Sequence, residues 1–133
     1  MGAKRAVTAP PAIDDFDAVF AALQKILKPY EKRTTVKEAS GTSYTLLAGR
    51  DEKKKRELWF ASVAIHKSYV SYYLMPIYMN AALQAAVSPA LRKRMQGKAC
   101  FNFKRVEHEL FEELAVLTRK GFEGFEREGY ISR

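Results

Sequence analysis

The chain has 133 residues, of which 47% are hydrophobic and 29% charged, and its formal net charge is +8. This composition predicts one globular domain that folds without a disulfide or metal, and it excludes a disordered chain. Cys100 is the only cysteine, and no run of residues is apolar enough for a secretory signal or a transmembrane helix. We therefore expect a soluble, cytoplasmic protein with a flexible tail at residues 1–12 and a single domain at residues 13–133.

Charge is unevenly distributed along the sequence. Between Glu57 and Glu107 there is no Asp or Glu. The same segment holds seven basic residues: Lys67, Arg92, Lys93, Arg94, Lys98, Lys104 and Arg105. A basic surface attracts anionic partners if folding brings such cations together.

The first predicted element is a helix from about Asp14 to Lys28. Apolar residues recur there at steps of three and four, which places them on one helix face. Three aspartates crowd its start, where free backbone N–H groups favour carboxylates, and Pro29 ends it.

Four strands are predicted next. Thr34–Ala39 and Ser43–Ala48 flank a short turn, and the polar segment Gly49–Arg56 indicates a solvated connection. Glu57–His66 and Tyr69–Met75 alternate with period two and are rich in aromatic and β-branched residues. Short connections predict that neighbouring strands are antiparallel.

The remaining elements are two short helices, a strand and a long helix. Asn80 is expected to cap a helix to about Ala86, and Ser88-Pro89 to begin another that runs to about Met95 and stops at Gly97. Lys98–Lys104 alternates again, and the final helix spans about Glu107–Arg127.

Together these elements predict an α+β fold. An antiparallel sheet of about five strands carries the N- and C-terminal helices on one face, because both amphipathic helices need a shared surface. Strict alternation along the third strand places Phe60 and Ala64 in phase with His66. The first strand and the strand from Lys98 are the expected sheet edges, and an uncovered aromatic face between them predicts a homodimer.

Two segments carry a family resemblance. Tyr69–Leu83 (YVSYYLMPIYMNAAL) and Ser88–Lys104 (SPALRKRMQGKACFNFK), followed by an amphipathic helix, resemble the uncharacterised bacterial YdhG-like family. The resemblance covers roughly Asp14–Phe125 and implies a helix-flanked antiparallel sheet near the frataxin-like and YjbR-like folds. It implies no agreed activity, although one member group, discussed as a frataxin-like iron-binding chaperone, supplies an alternative function.

Catalytic motifs are absent from the sequence: it has no Walker loop, GxGxxG, GxSxG or HExxH. Cys100 lies on a predicted strand among aromatic residues, where a small hydrophobe is its usual role. His108 and Glu112 share a helix face and are weak candidates for metal ligands. This pattern favours a binding protein over an enzyme, with no cofactor.

The main hypothesis is a small non-enzymatic domain that binds an anionic small molecule or partner. Nucleic acid is a weaker candidate, because no recognised nucleic-acid module is present, and no membrane association is expected. The candidate ligand-binding residues combine basic and aromatic side chains in the acid-free segment: Trp59, His66, Tyr73, Tyr78, Arg92, Lys98, Phe101 and Lys104.

Overall fold

A computed structural model describes residues 15–51 and 56–131, apart from the side chains of Arg50, Asp51 and Arg56. The predicted tail at residues 1–12 and residues 52–55 of the predicted polar connection lie outside the described residues. In the part that is described, no helix is both long and apolar enough to cross a bilayer.

The fold is α+β, as predicted, with six strands in one antiparallel sheet. In chain order the elements are α1 (Phe16–Leu27), a 3-10 helix (Lys28–Arg33), β1 (Thr35–Ala39), β2 (Ser43–Asp51), β3 (Arg56–Ile65), β4 (Val70–Leu74), α2 (Met75–Met79), α3 (Ala81–Ala86), α4 (Pro89–Arg92), β5 (Met95–Gln96), β6 (Cys100–Phe103) and α5 (His108–Glu128). The strand order is β1-β2-β3-β4-β6-β5.

The first helix begins where the aspartates predict it. The Asp15 side chain accepts a hydrogen bond from the Ala18 backbone N–H at 3.1 Å, which caps the helix start. One face of α1 is buried through Val19, Phe20, Leu23 and Leu27. The α-helix ends at Leu27, next to the predicted end at Lys28, and the chain continues as a 3-10 helix to Arg33.

Helices α1 and α5 pack on the same face of the sheet, which confirms the predicted layer arrangement. Phe60 of β3 lies fully buried there, and its ring contacts Tyr30, Phe122 and Phe125 at centroid distances of 5.6, 5.8 and 6.1 Å. Tyr72 of β4 is also fully buried, and its hydroxyl shares a 2.5 Å hydrogen bond with Thr118. We call this helix-covered side the core face.

The region between β4 and β6 differs from the prediction of two short helices. A first short helix, α2, begins at Met75, because proline is tolerated in the first turn of a helix. Asn80 caps α3 as expected, accepting hydrogen bonds from the N–H groups of Ala82 and Leu83. The predicted extension of the next helix to Met95 is wrong, since α4 ends at Arg92.

The sequence prediction also missed a strand. Met95–Gln96 forms β5, which pairs with β6, so β1 and β5 are the sheet edges and β6 is not. Gly97 was expected to end a helix, but it has a φ of 76° and turns the chain between β5 and β6. Glycine suits this left-handed conformation because it has no Cβ.

The short helices pack beside α5, and within residues 15–51 and 56–131 no helix lies over the second face of the sheet. Close approach of α2 and α5 requires Gly121, because a Cβ at that position would lie 2.6 Å from the Cβ of Pro76. Helix α5 is continuous through Gly121 and Gly124 and ends at Gly129, whose φ is 84°. The core formed by the described residues therefore lies on the side covered by α1 and α5.

Candidate functional site

The second face of the sheet is built from small and polar side chains bordered by aromatic ones, and we call it the open face. Its members follow the register across β2, β3, β4 and β6: Thr45, Leu47, Trp59, Ser62, Ala64, Ser71, Tyr73, Cys100 and Asn102. One register row runs Thr45–Ser62–Tyr73–Cys100, and the next runs Ala64–Ser71–Asn102.

A β-bulge places Trp59 on the open face. Leu46 pairs with Ala61 whereas Leu47 pairs with Trp59, so Phe60 is an extra residue in β3. The bulge turns Phe60 into the core and leaves Trp59 36% exposed on the other side. The predicted phase of the third strand is therefore wrong, since Phe60 and Ala64 lie on opposite faces. Bulges often re-aim a side chain at a functional site.

Four of the predicted ligand-binding residues meet at one end of the open face: Trp59, Tyr73, Tyr78 and Lys98. We call this group the aromatic cluster. The rings of Trp59 and Tyr73 are in edge-to-face contact, with centroids 6.0 Å apart and an interplanar angle of 87°. Lys98 Nζ lies 6.0 Å from the ring centre of Tyr78, which is 56% exposed. Burial, and secondarily the nearby Tyr78 and Cys100, raises the pKa of Tyr73.

Hydroxyl and amide groups form the middle of the open face. Thr45 Oγ1 and Ser62 Oγ share a buried hydrogen bond of 2.8 Å. His66 Nε2 lies 2.9 Å from Ser71 Oγ, and this bond places His66 at the end of the sheet opposite the aromatic cluster. Asn102 Nδ2 donates to Gln96 Oε1 at 2.7 Å. The floor of the open face is therefore polar and hydrogen-bonded.

Cys100 lies in the same row as Tyr73, half-buried between the aromatic cluster and the polar floor. Burial raises the pKa of its thiol, and hydrogen bonds involving Phe101 and Ser71 offset only part of this effect. A raised pKa keeps the thiol protonated, which is its less nucleophilic form. Cys100 thus has the environment of a structural thiol.

A cleft opens beside the far end of β6. Its lining residues are Arg94, Asn102, Lys104, Arg105 and Glu107, and its volume is about 430 Å³. We call it the basic cleft. Arg94 forms a bidentate pair with Glu107, with Nε and Nη2 donating at 2.7 and 2.8 Å. These hydrogen bonds raise the pKa of Arg94. Asn102 belongs to both the cleft and the open face, so the two surfaces are continuous.

The start of α5 borders the basic cleft. Glu107 occupies the N-cap of α5, but its side chain makes no capping hydrogen bond, because it binds Arg94 instead. The first N–H groups of a helix have no intrahelical partner and carry the positive end of its dipole. Lys104 and Arg105 therefore lie beside an uncapped helix start.

Two other predicted ligand-binding residues lie away from these surfaces. Phe101 is fully buried on the core face, where it pairs with Tyr72, so its ring is not available to a ligand. The Arg92 guanidinium donates to the carbonyl groups of Gln84 and Val87, which fixes it at the end of α3. Of the predicted basic residues, Lys98 lies at the aromatic cluster and Lys104 at the basic cleft.

The predicted metal candidates lie on the first turns of α5. His108 and Glu112 are both exposed and share a helix face. Within residues 15–51 and 56–131, no three His, Cys, Asp or Glu side chains lie close enough together to hold a metal ion. The pair therefore offers two ligands without a third.

Sequence reasoning missed Asn102 and Arg105 as site residues. Asn102 alternates with Cys100 and Lys104 along β6, so the same period-two pattern that predicted the strand could have placed it on this face. Arg105 follows β6 in an irregular segment, where no periodicity indicates its position.

A smaller cavity of about 220 Å³ lies between α2, α3 and the end of α5. Pro76, Leu83, Gly121 and Phe125 contribute to its wall. Small-molecule sites usually have volumes of roughly 300–1,000 Å³, so we do not treat this cavity as the main site.

Comparison with known proteins supplies no relative from which a function could be transferred. No protein-family model, curated protein or solved structure matches the chain. The YdhG-like resemblance stays a prediction, and functional inference depends on the geometry of the open face and the basic cleft.

Proposed function

We propose that the protein is a non-enzymatic binding domain for an anionic ligand, which it holds in the basic cleft. One observation carries the proposal. Among the described residues that line the cleft, Glu107 is the only carboxylate, and it is already paired with Arg94. Lys104 and Arg105 are both exposed and form no salt bridge with any carboxylate in the described part of the chain.

Two adjacent cations without a counter-charge among the described residues favour an anion between them. Lys28 and Lys37 have carboxylate partners, Glu31 at 3.2 Å and Glu57 at 2.6 Å, whereas Lys32 and Lys120 are exposed and unpaired in the described part of the chain. Lys104 and Arg105 differ from these other unpaired cations because they lie together in a cleft. Hydrogen bonds between charged donors and phosphate or carboxylate oxygens are about twice as strong as neutral ones. The cleft volume of about 430 Å³ is also in the range for small ligands.

We assign no catalytic step to this site. The Cys100 thiol has a raised pKa, and the hydroxyl groups of the open face bond to one another or to His66.

The predicted cytoplasmic location and the predicted homodimer stay predictions. Edge pairing is a poor route to a dimer, because β1 carries a bulge and two charged residues and β5 has only two residues.

The proposal is tested by isothermal titration with inorganic pyrophosphate. We expect binding that weakens by about a hundredfold or more in the double variant Lys104→Gln/Arg105→Gln, because each of the two lost charge-assisted contacts contributes about 1.5–3 kcal/mol in typical cases. The matched control is Lys32→Gln/Lys120→Gln, which removes the same charge from exposed positions outside the cleft. Equal loss in both double variants would show a general charge effect and contradict the proposal.

A further inference from the structure

We propose that the open face is a platform for single-stranded nucleic acid, with bases on the aromatic cluster and a phosphate in the basic cleft. This inference rests on the proposed function, since the cleft supplies the anion site. It adds a ligand class and a second contact region. Proteins that bind single strands combine a positively charged groove with aromatic side chains on which bases stack.

The aromatic cluster offers rings that a base can reach. Trp59 is 36% exposed and Tyr78 is 56% exposed. The Trp59 and Tyr73 rings are edge-to-face, so a face of Trp59 is not used by Tyr73. Lys98 above Tyr78 supplies a cation at the same end, where it can contact a phosphate next to a stacked base.

The spacing of the two regions sets the length of the ligand. Cys100 lies in the register row of Tyr73, and Lys104 is four residues further along the chain. Four strand residues span about 13 Å. A stacked single strand advances about 3.4 Å per nucleotide, so roughly four nucleotides reach from the aromatic cluster to the basic cleft.

Charge and polarity favour a nucleic acid over a second copy of the chain. Residues 58–106, which supply nearly all of β3 and all of β4, β5 and β6, contain no Asp or Glu. Two copies packed face to face would bring Lys98 and Lys104 of one copy towards the cations of the other, and these like charges would repel. Ser62 and Ser71 form the floor between them, each 8% exposed and hydrogen-bonded through its hydroxyl group, whereas the centre of a dimer interface is usually apolar.

The experiment measures the intrinsic fluorescence of Trp59, because it is the only tryptophan in the chain. Titrations of the full chain with oligothymidylate and oligouridylate of eight nucleotides are compared with inorganic polyphosphate of eight units. We expect both oligonucleotides to quench the fluorescence of Trp59 and polyphosphate to bind without quenching. Binding should tighten as the oligonucleotide lengthens to about four nucleotides.

Variants separate the two contact regions. Trp59→Ala and, independently, Tyr78→Ala should each weaken oligonucleotide binding by about tenfold, measured by anisotropy of a labelled strand, and leave polyphosphate binding unchanged. For oligonucleotide binding, the logarithm of the association constant falls with the logarithm of the salt concentration. Lys104→Gln/Arg105→Gln should make this slope shallower by about 1.4, because each phosphate contact on a single strand contributes roughly 0.7. Lys32→Gln/Lys120→Gln should leave both readouts unchanged.

The outcomes separate this inference from the proposed function. If polyphosphate binds in the cleft while oligonucleotides bind no more tightly and Trp59 fluorescence is constant, the platform is wrong and the anion site stands. If pyrophosphate, polyphosphate and oligonucleotides all fail to bind, both proposals are wrong. A dimer in light scattering that Trp59→Ala dissociates, without any oligonucleotide binding, would identify the open face as a self-association surface and overturn the platform.

Discussion

The two faces of the sheet use the same strands for different purposes. On the core face, large side chains such as Phe60, Tyr72 and Phe101 are fully buried beneath α1 and α5. On the open face, adjacent positions of the same strands carry Trp59, Tyr73 and small polar residues that no described helix covers. Neighbouring residues along one strand therefore pack beneath helices on one side and form a polar floor with an exposed Trp59 on the other.

The contrast shows that aromatic content alone does not identify a binding surface. Tyr72 and Tyr73 are consecutive, yet the hydroxyl of Tyr72 bonds to Thr118 in the core, whereas that of Tyr73 donates to Met75 Sδ at 3.4 Å beside the open face. The burial of each ring and the hydrogen-bond partner of its hydroxyl group decide its role. Substitutions at neighbouring positions can therefore test whether the two faces differ as the structure indicates.

The largest expected difference separates Phe60 from Trp59. Phe60→Ala should lower the free energy of unfolding by about 3–5 kcal/mol, because it removes a fully buried ring with three aromatic neighbours. Trp59→Ala should cost about 2 kcal/mol, from the lost contact with Tyr73 and the loss of the covered part of the ring. Urea unfolding measures both. Equal losses would mean that Trp59 belongs to the core and would remove the distinction between the faces.

A second, smaller difference is expected between Tyr72 and Tyr73. Tyr72→Phe should lower the free energy of unfolding at pH 7 by about 1–3 kcal/mol, because it leaves the buried Thr118 hydroxyl without its partner. Tyr73→Phe should change it by less than about 0.5 kcal/mol, since the Tyr73 hydroxyl contacts only a weak sulfur acceptor. A greater loss from Tyr73→Phe would contradict the assignment of faces.

Tyr72 also predicts the pH dependence. Burial, the largest cause, raises the pKa of Tyr72 above its usual value in the fold. Unfolded tyrosines lose their proton near pH 10, so the unfolded state binds fewer protons above that pH. The stability that depends on protonated Tyr72 is thus complete below about pH 10 and is lost as the pH rises towards the folded pKa. Between pH 9 and pH 11, the free energy of unfolding of Tyr72→Phe should therefore fall less steeply with pH than that of the parent protein.

Much of the fold could be predicted, because the helices at both ends each bury one periodic face and the strands are rich in β-branched and aromatic residues. Burial does not alternate along every strand, since β1 is exposed at all five positions and β4 is buried on both faces. The bulge could not be predicted, since Trp59, Phe60 and Ala61 are all apolar and either phase satisfies a hydrophobic pattern. The two-residue strand β5 is too short to show any period.

Less of the site could be predicted, because it depends on positions that are distant in sequence. The aromatic residues and Lys98 were predicted as candidates, but their meeting at one end of the sheet follows from the bulge and from the β5–β6 turn. Composition indicated the excess of cations. It could not indicate that Glu107 pairs with Arg94 and leaves Lys104 and Arg105 without a carboxylate partner among the described residues.

The smallest expected effect concerns the polar floor of the open face. Thr45 and Ser62 are buried and share one hydrogen bond of 2.8 Å, although no described helix lies over them. Thr45→Val keeps the side-chain shape and should cost about 1 kcal/mol, because the Ser62 hydroxyl then lacks its partner. The double variant Thr45→Val/Ser62→Ala removes both polar groups and should lie within about 0.5 kcal/mol of the parent protein. A double-mutant cycle in urea measures the coupling, and additive losses would show that each hydroxyl is satisfied by another group or by solvent, so that the floor is not a paired polar layer.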